Sequence, residues 1–192
     1  MIARERVLPQ HLVDKIHVTG LPIYPEEFVK PAKTRKNIVV FPHRLDPEKR
    51  PELFDDVADT LTTHSSGVSK WQFVKTKEVT KDKTEYYKLL NQAKISLSFH
   101  QEETWGIAQM EALFCGCIPI SINAGSYTEL YPTRLLSSGA GETAALIHQM
   151  LTDPAFYDYM DKTAAIARKD LAIRTTTAIE NIAKELQACG DM

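Results

Sequence analysis

Two acidic residues eight positions apart around a glycine, in Glu103-Thr-Trp-Gly-Ile-Ala-Gln-Met-Glu111, carry the most chemistry in this chain. A carboxylate accepts hydroxyl hydrogen bonds on both oxygens and suits a vicinal diol. Gly106 lets a ligand approach the backbone, and a helix opening there turns unpaired N–H groups toward an anion. Were both glutamates helical, they would lie roughly 80° apart in azimuth and about 12 Å apart along the axis. That separation is close to the span of a nucleotide sugar. Upstream, Phe41-Pro-His-Arg44-Leu-Asp-Pro-Glu-Lys49 adds a guanidinium suited to bidentate phosphate contact and an ammonium that acts as a point charge. Groups for hydroxyls and for a diphosphate in one chain point to a sugar-nucleotide site.

Each residue also has a plainer reading. A lone Arg44 or Lys49 is most often a solvated surface charge, and an acid before a helix complements the macrodipole with no ligand at all. Glu111 resists the plain reading, because the apolar run Ala112-Leu-Phe-Cys-Gly116 buries its helix, and a buried glutamate needs a partner or a ligand. Trp105 reads as core or as a pocket wall. Tyr86 and Tyr87 read as helix packing, and Lys75-Thr-Lys77 with Lys81-Asp-Lys83 as a solvated loop.

The elements that position these residues follow from hydrophobic spacing. Asn37-Ile-Val-Val-Phe41 is a short apolar strand of the kind buried on both faces. After it, Pro51 suits the first turn of a helix whose Leu53, Val57 and Leu61 recur at intervals of four. The alternation repeats as strand Trp71–Val74, helix Lys83–Ala93, strand Ile95–Phe99, helix Gly106–Phe114 and strand Cys117–Ile122. Strands alternating with helices predict an α/β fold, a Rossmann-like doubly wound parallel sheet flanked by helices. Past Gly139 the pattern turns helical: Glu142–Leu151, then Pro154 to about Leu171, then a last helix opened by the capping box Thr177-Ala-Ile-Glu180. The organisation expected is a connector over 1–37, a nucleotide-sugar-binding domain over 38–152 and C-terminal helices over 153–192. In such a sheet, ligands bind at the carboxyl ends of the strands, where both motifs fall.

Composition narrows the class without choosing a chemistry. The 192 residues, 43% hydrophobic and 25% charged, fit one substantial globular core. The 23 basic and 25 acidic residues are well mixed, so no global field argues for nucleic acid or an anionic membrane. Cys115, Cys117 and Cys189 lack zinc or thioredoxin spacing. With no signal peptide at the start and no apolar run of the ~20 residues that span a bilayer, a cytoplasmic location is expected.

Taken together, Phe41–Phe54, Tyr86–Ala93, Glu103–Ala112 and Gly116–Pro119 resemble the C-terminal, donor-binding half of retaining GT-B glycosyltransferases of the group 1 type, over about Lys15 to Leu151. The resemblance implies that Arg44 and Lys49 bind the donor diphosphate and that Glu103 contacts hydroxyls of the transferred sugar. It implies that backbone N–H groups near Gly106 and Ile107 hold phosphate or sugar and that Glu111 grips the ribose. Thr104, Trp105, His43 and His100 join the donor site by position. His43 departs from the glycine usual in that family, and His100 from the usual serine. It further implies an N-terminal acceptor domain, supplied in cis or as a separate subunit, that this chain does not contain.

Negative charge grows on the leaving diphosphate as the anomeric carbon becomes cation-like, and Arg44, Lys49 and the helix start would stabilise it. No cofactor and no metal are expected; the partner is a nucleotide sugar such as a UDP- or GDP-sugar. Other readings stay open: a non-catalytic donor-binding or regulatory subunit, a sugar-nucleotide epimerase and, ranked lower, a glycosidase with paired carboxylates.

Overall fold

The computed structural model describes Ile16, Gly20, Pro22, Ile23, Ala32, residues 34–64 and residues 70–190, apart from the side chain of Cys189. Most of the expected connector lies outside the described residues, including 15 and 17–19 of the extended run and 30, 31 and 33 of the basic segment, as does the Cys189 side chain. The chain divides into two compact units, Pro25–Leu171 and a second made from the chain's two ends with Ala172–Met192. Everything that follows on the sheet and the site belongs to Pro25–Leu171.

Five parallel strands form one sheet: β1 (Ile38–Phe41), β2 (Gln72–Lys75), β3 (Ile95–Ser98), β4 (Ile118–Ile122) and β5 (Leu136–Ser137), in the order β2-β1-β3-β4-β5. The reversal of strand order places a topological switch point between β1 and β3, where loops diverge to opposite faces and leave a crevice. The loops after these two strands are 42–50 and 99–106, so both motifs border that crevice. Register pairs Val39 with Ile95 and Val40 with Ser96, which sets the two strand ends side by side.

Burial explains why these strands are central. Ile38 to Phe41, Ile95, Leu97, Ile118 and Ile120 are buried, as a parallel strand covered on both faces requires. Helix α1 (Pro51–His64) covers one face through Phe54, Val57 and Leu61. Phe54 replaces the expected Leu53 as its first core residue, because Leu53 is only half-buried. Three short pieces escape the periodic reading, α2 (Thr76–Val79), the helix Tyr127–Leu130 and β5. The Thr76 hydroxyl of α2 donates to the Phe41 carbonyl at 3.2 Å, tying the end of β2 to the end of β1.

The remaining helices are α3 (Lys83–Gln92), α4 (Ile107–Phe114), α5 (Tyr127–Leu130), α6 (Ala140–Thr152) and α7 (Pro154–Gly190). The two helices expected after Pro154 are one. Between Ala155 and Ala188 the chain has no glycine or proline to break the hydrogen-bond ladder. Thr176, just before the expected capping box, donates its hydroxyl to the Ala172 carbonyl at 3.1 Å, a contact that leaves the helix running. Among the described residues, no helix is long and apolar enough to cross a membrane.

Candidate functional site

A cavity of about 430 Å³ opens beside the switch point, lined among others by His43, Arg44, Lys49, Glu103, Thr104, Trp105, Ile107 and Glu111. Residues far apart in sequence meet there because the loops after β1 and β3 are neighbours. Of the expected site residues, His100 and Gly106 do not line the cavity; both hydrogen-bond Glu103.

Lys49 is aimed inward by local backbone geometry. A 3-10 turn over Pro47–Lys49 closes with the Lys49 N–H on the Asp46 carbonyl at 2.9 Å, and Arg50 follows at φ 58. The lysine side chain is 13% exposed and donates to Glu103 Oε2 at 3.2 Å. His100 Nδ1 completes a triangle, 3.1 Å from Lys49 Nζ and 3.2 Å from Glu103 Oε2. Burial pushes the Glu103 carboxyl up. The Lys49 hydrogen bond, the Gly106 N–H and the lysine charge outweigh burial and bring it down to about 2, so Glu103 is an anion at any ordinary pH.

Arg44 behaves differently. Its guanidinium is 63% exposed and clamped within its own loop, Nη1 on Asp46 at 2.9 Å and Nη2 on Glu48 at 3.0 Å. It stands at the rim of the cavity with its charge largely offset, whereas Lys49 stands inside.

His43 is 4% exposed and edges against the Phe41 ring, centroids 5.2 Å apart. Burial lowers its pKa to about 3, with Glu103 opposing and Lys49 and His100 assisting, so the ring is neutral and is not a third cation. Its Nε2 and the indole nitrogen of Trp105 are buried with no hydrogen-bond partner among the described residues.

Gly106 caps α4 at φ 74, and a Cβ there would lie 2.6 Å from Tyr127 Cε1. Tyr127 is held in turn by Ser98, the hydroxyl oxygens 2.7 Å apart. The Glu103 loop is seated on Gly125 at φ 55, where a Cβ would meet the Glu103 carbonyl oxygen at 2.7 Å. Ser126 N–H donates to that same carbonyl at 3.0 Å. Two glycines therefore set the loop that carries Glu103 and starts α4.

Glu111, in the middle turn of α4, is 6% exposed and has protein partners on both oxygens. Oε1 accepts from Lys83 Nζ at 2.7 Å and from the Tyr87 hydroxyl at 2.7 Å, and Oε2 accepts from the Tyr86 hydroxyl at 2.9 Å. Tyr86 and Tyr87 pack against the core as expected, and both also direct a hydroxyl at the buried acid. Burial, then Glu111, raises both phenol pKa values, so they are donors and not phenolates. Lys83 is exposed, as expected, but it opens α3, and its ammonium lies 5.2 Å and 5.0 Å from the two ring centroids. Thr76, Lys77, Thr80, Lys81 and Asp82 also line the cavity. The spacing of 83, 86 and 87 puts the three on one helix face, without identifying Glu111 as their partner.

The expected 12 Å helical ladder of the two acids changes form. Glu103 precedes α4 and turns to the β1 loop, while Glu111 faces α3 from within the helix. They mark two stations of one cavity, with the helix start and Lys49 at the first.

No family model matches the chain. The tRNA-queuosine alpha-mannosyltransferase of Drosophila melanogaster is 28% identical over 51% of this chain and 31% of its own length. Sucrose-phosphate synthase from Thermosynechococcus elongatus superposes with a TM-score of 0.70 at 16% identity, over 99% of this chain and 57% of that one. Anabaena HepE in complex with UDP and glucose gives 0.63 at 16% identity, over 80% and 48%. The C-terminal domain of a glycosyl transferase group 1 family protein, LpcC of Francisella tularensis, gives 0.62 at 13% identity, over 77% and 97%. The chain thus spans about a third of the curated relative, about half of the first two structures and nearly all of an isolated C-terminal domain. These structural neighbours are GT-B glycosyltransferases, and the fold of this chain is that of their Rossmann-like half.

Proposed function

We propose that this chain is the donor-binding half of a retaining, metal-independent nucleotide-sugar glycosyltransferase, with hexosyl transfer as its chemistry. The observation that carries the reading is the placement of Lys49, Glu103 and the start of α4 at one station of a cavity whose other station is Glu111. A nucleotide sugar needs this order: hydroxyl acceptors for the sugar, positive charge at the diphosphate, an acid for the ribose. Lys49 and the N–H groups of Ile107 and Ala108 would oppose the charge that grows on the leaving diphosphate. Glu103, kept ionised, would accept hydroxyls of the transferred sugar, and Arg44 would leave Asp46 and Glu48 to reach the phosphate. The names of the relatives, a mannosyltransferase and a protein bound to UDP and glucose, support hexosyl transfer from a nucleotide donor.

The acceptor side would come from an N-terminal domain, in cis or as a separate subunit. A cytoplasmic setting is part of the proposal. A second reading is a donor-binding or regulatory subunit with no turnover of its own. Transfer and donor hydrolysis measured on this chain alone and with an added N-terminal domain separate the two. Product that appears only with both parts supports the half-enzyme. Nucleotide-sugar binding with no turnover in any combination supports the regulatory subunit.

A further inference from the structure

The Glu111 carboxylate is more occupied than a diol-gripping acid should be. A carboxylate offers about four acceptor positions, two on each oxygen. Lys83 and Tyr87 fill both positions of Oε1, and Tyr86 fills one of Oε2. Among the described residues a single position on Oε2 is left. A vicinal diol chelates a carboxylate with one hydroxyl on each oxygen, so its second hydroxyl has nowhere to bind until Oε1 loses a partner.

The two partners of Oε1 are unequally held. Tyr87 is fixed by its place on α3 and by the adjoining Tyr86 ring, centroids 5.3 Å apart. Lys83 stands at the first position of the same helix with its side chain 69% exposed, on a stem that can swing to water without moving backbone. Its ammonium also contacts the two tyrosine rings and donates to the Tyr87 hydroxyl at 3.2 Å, so it is parked at the acid and not merely near it. Only the lysine end of the pair is in water, so the ammonium leaves without a desolvation cost of its own and a ligand hydroxyl can take its place on the acid.

Resting on the proposed role of Glu111 at the ribose, we infer that Lys83 is a displaceable stand-in for one hydroxyl of the ligand's vicinal diol. It neutralises the buried acid in the free protein and leaves when a ribonucleotide arrives. Lys83 then acts as a specificity residue: it lowers affinity for diol-bearing ligands and has little effect on a ligand with one hydroxyl, which uses the open position on Oε2.

The test titrates UDP and 2′-deoxy-UDP, with GDP and its 2′-deoxy form as a second pair, into the wild-type chain and into Lys83→Met. Methionine keeps the helix propensity and the apolar stem. The expected result is a rise in ribonucleotide affinity of about two- to fivefold, equivalent to up to about 1 kcal/mol, with the deoxy affinity unchanged. Weaker ribonucleotide binding would show that Lys83 touches the ligand, and an equal rise for both probes would show a plain charge effect. Either overturns the inference. A second readout needs no variant: acetylation of Lys83 by an amine-reactive reagent, followed by mass spectrometry, should speed up on adding UDP, and protection would contradict release. If neither UDP nor GDP binds the wild-type chain, the nucleotide-sugar reading fails first and takes this inference with it.

Discussion

Lys49 Nζ lies 3.2 Å from Glu103 Oε2, joining the loop after β1 to the loop after β3 across the switch point of the sheet. Both side chains are largely withdrawn from solvent, at 13% and 14% exposure. Removing one charge strands the other. Lys49→Ala should therefore move the Glu103 carboxyl upward from about 2, which NMR titration of the side chain reads directly. A diphosphate ligand should lose roughly ten- to a hundredfold in affinity, the range for a charge-assisted hydrogen bond.

Arg44→Ala provides the contrast. The guanidinium is exposed and already paired with Asp46 and Glu48, so the loss of folding stability should stay within about 0.5 kcal/mol. If Arg44 turns to the phosphate when ligand binds, UDP affinity should still fall about tenfold. Calorimetric titration beside urea unfolding separates the two effects. Undiminished diphosphate binding would remove Arg44 from the site.

The loop that carries Glu103 depends on two glycines. Gly125→Ala should destabilise the protein by about 2 kcal/mol or more, because a left-handed backbone penalises a side chain by roughly 1–2 kcal/mol before any clash, and here a Cβ meets the Glu103 carbonyl. Gly106→Ala should cost about as much, its obstacle being the Tyr127 ring. Chemical denaturation of both variants checks this, and a loss below about 0.5 kcal/mol in either would contradict the seating described.

His43 should make the protein acid-sensitive in a defined window. Its pKa is about 3 when folded and 6.5 as the ordinary value. Between those values the unfolded chain holds a proton that the folded chain does not. Stability from the neutral ring is thus complete above pH 6.5 and is lost as pH falls toward 3, at no more than about 1.4 kcal/mol per pH unit. His43→Phe, which retains a ring against Phe41, should flatten the stability profile between pH 7 and pH 4.5. An unchanged slope would place the acid sensitivity elsewhere.

Much of this architecture is legible in the chain. Short apolar runs such as Ile38–Phe41 and Ile118–Ile122 have few alternatives to buried parallel strands, and the turn residues between them set the order. That Lys49, Glu103 and Glu111 would border one cavity was legible too, because each sits beside a strand end or inside an apolar helix. What spacing could not show was pairing. Tyr86 and Tyr87 read as packing residues, which they are, and only the approach of α3 to α4 shows that their hydroxyls also reach Glu111. Arg44 looks like the better phosphate ligand until Asp46 and Glu48 close on it. The capping box at Thr177 misled for another reason: such a box opens a helix only where the chain arrives non-helical, and α7 is already running.

The central claim is that the cavity between Lys49 and Glu111 takes a nucleotide sugar. The most direct measurement is the thermal stability of the wild-type chain and of Lys49→Ala across a panel of UDP- and GDP-sugars. A ligand at a hundred times its Kd stabilises the folded state by about 2.7 kcal/mol. The account predicts a clear upward shift in Tm for at least one nucleotide sugar, much reduced in Lys49→Ala; a flat response of the wild-type chain to every nucleotide would contradict it.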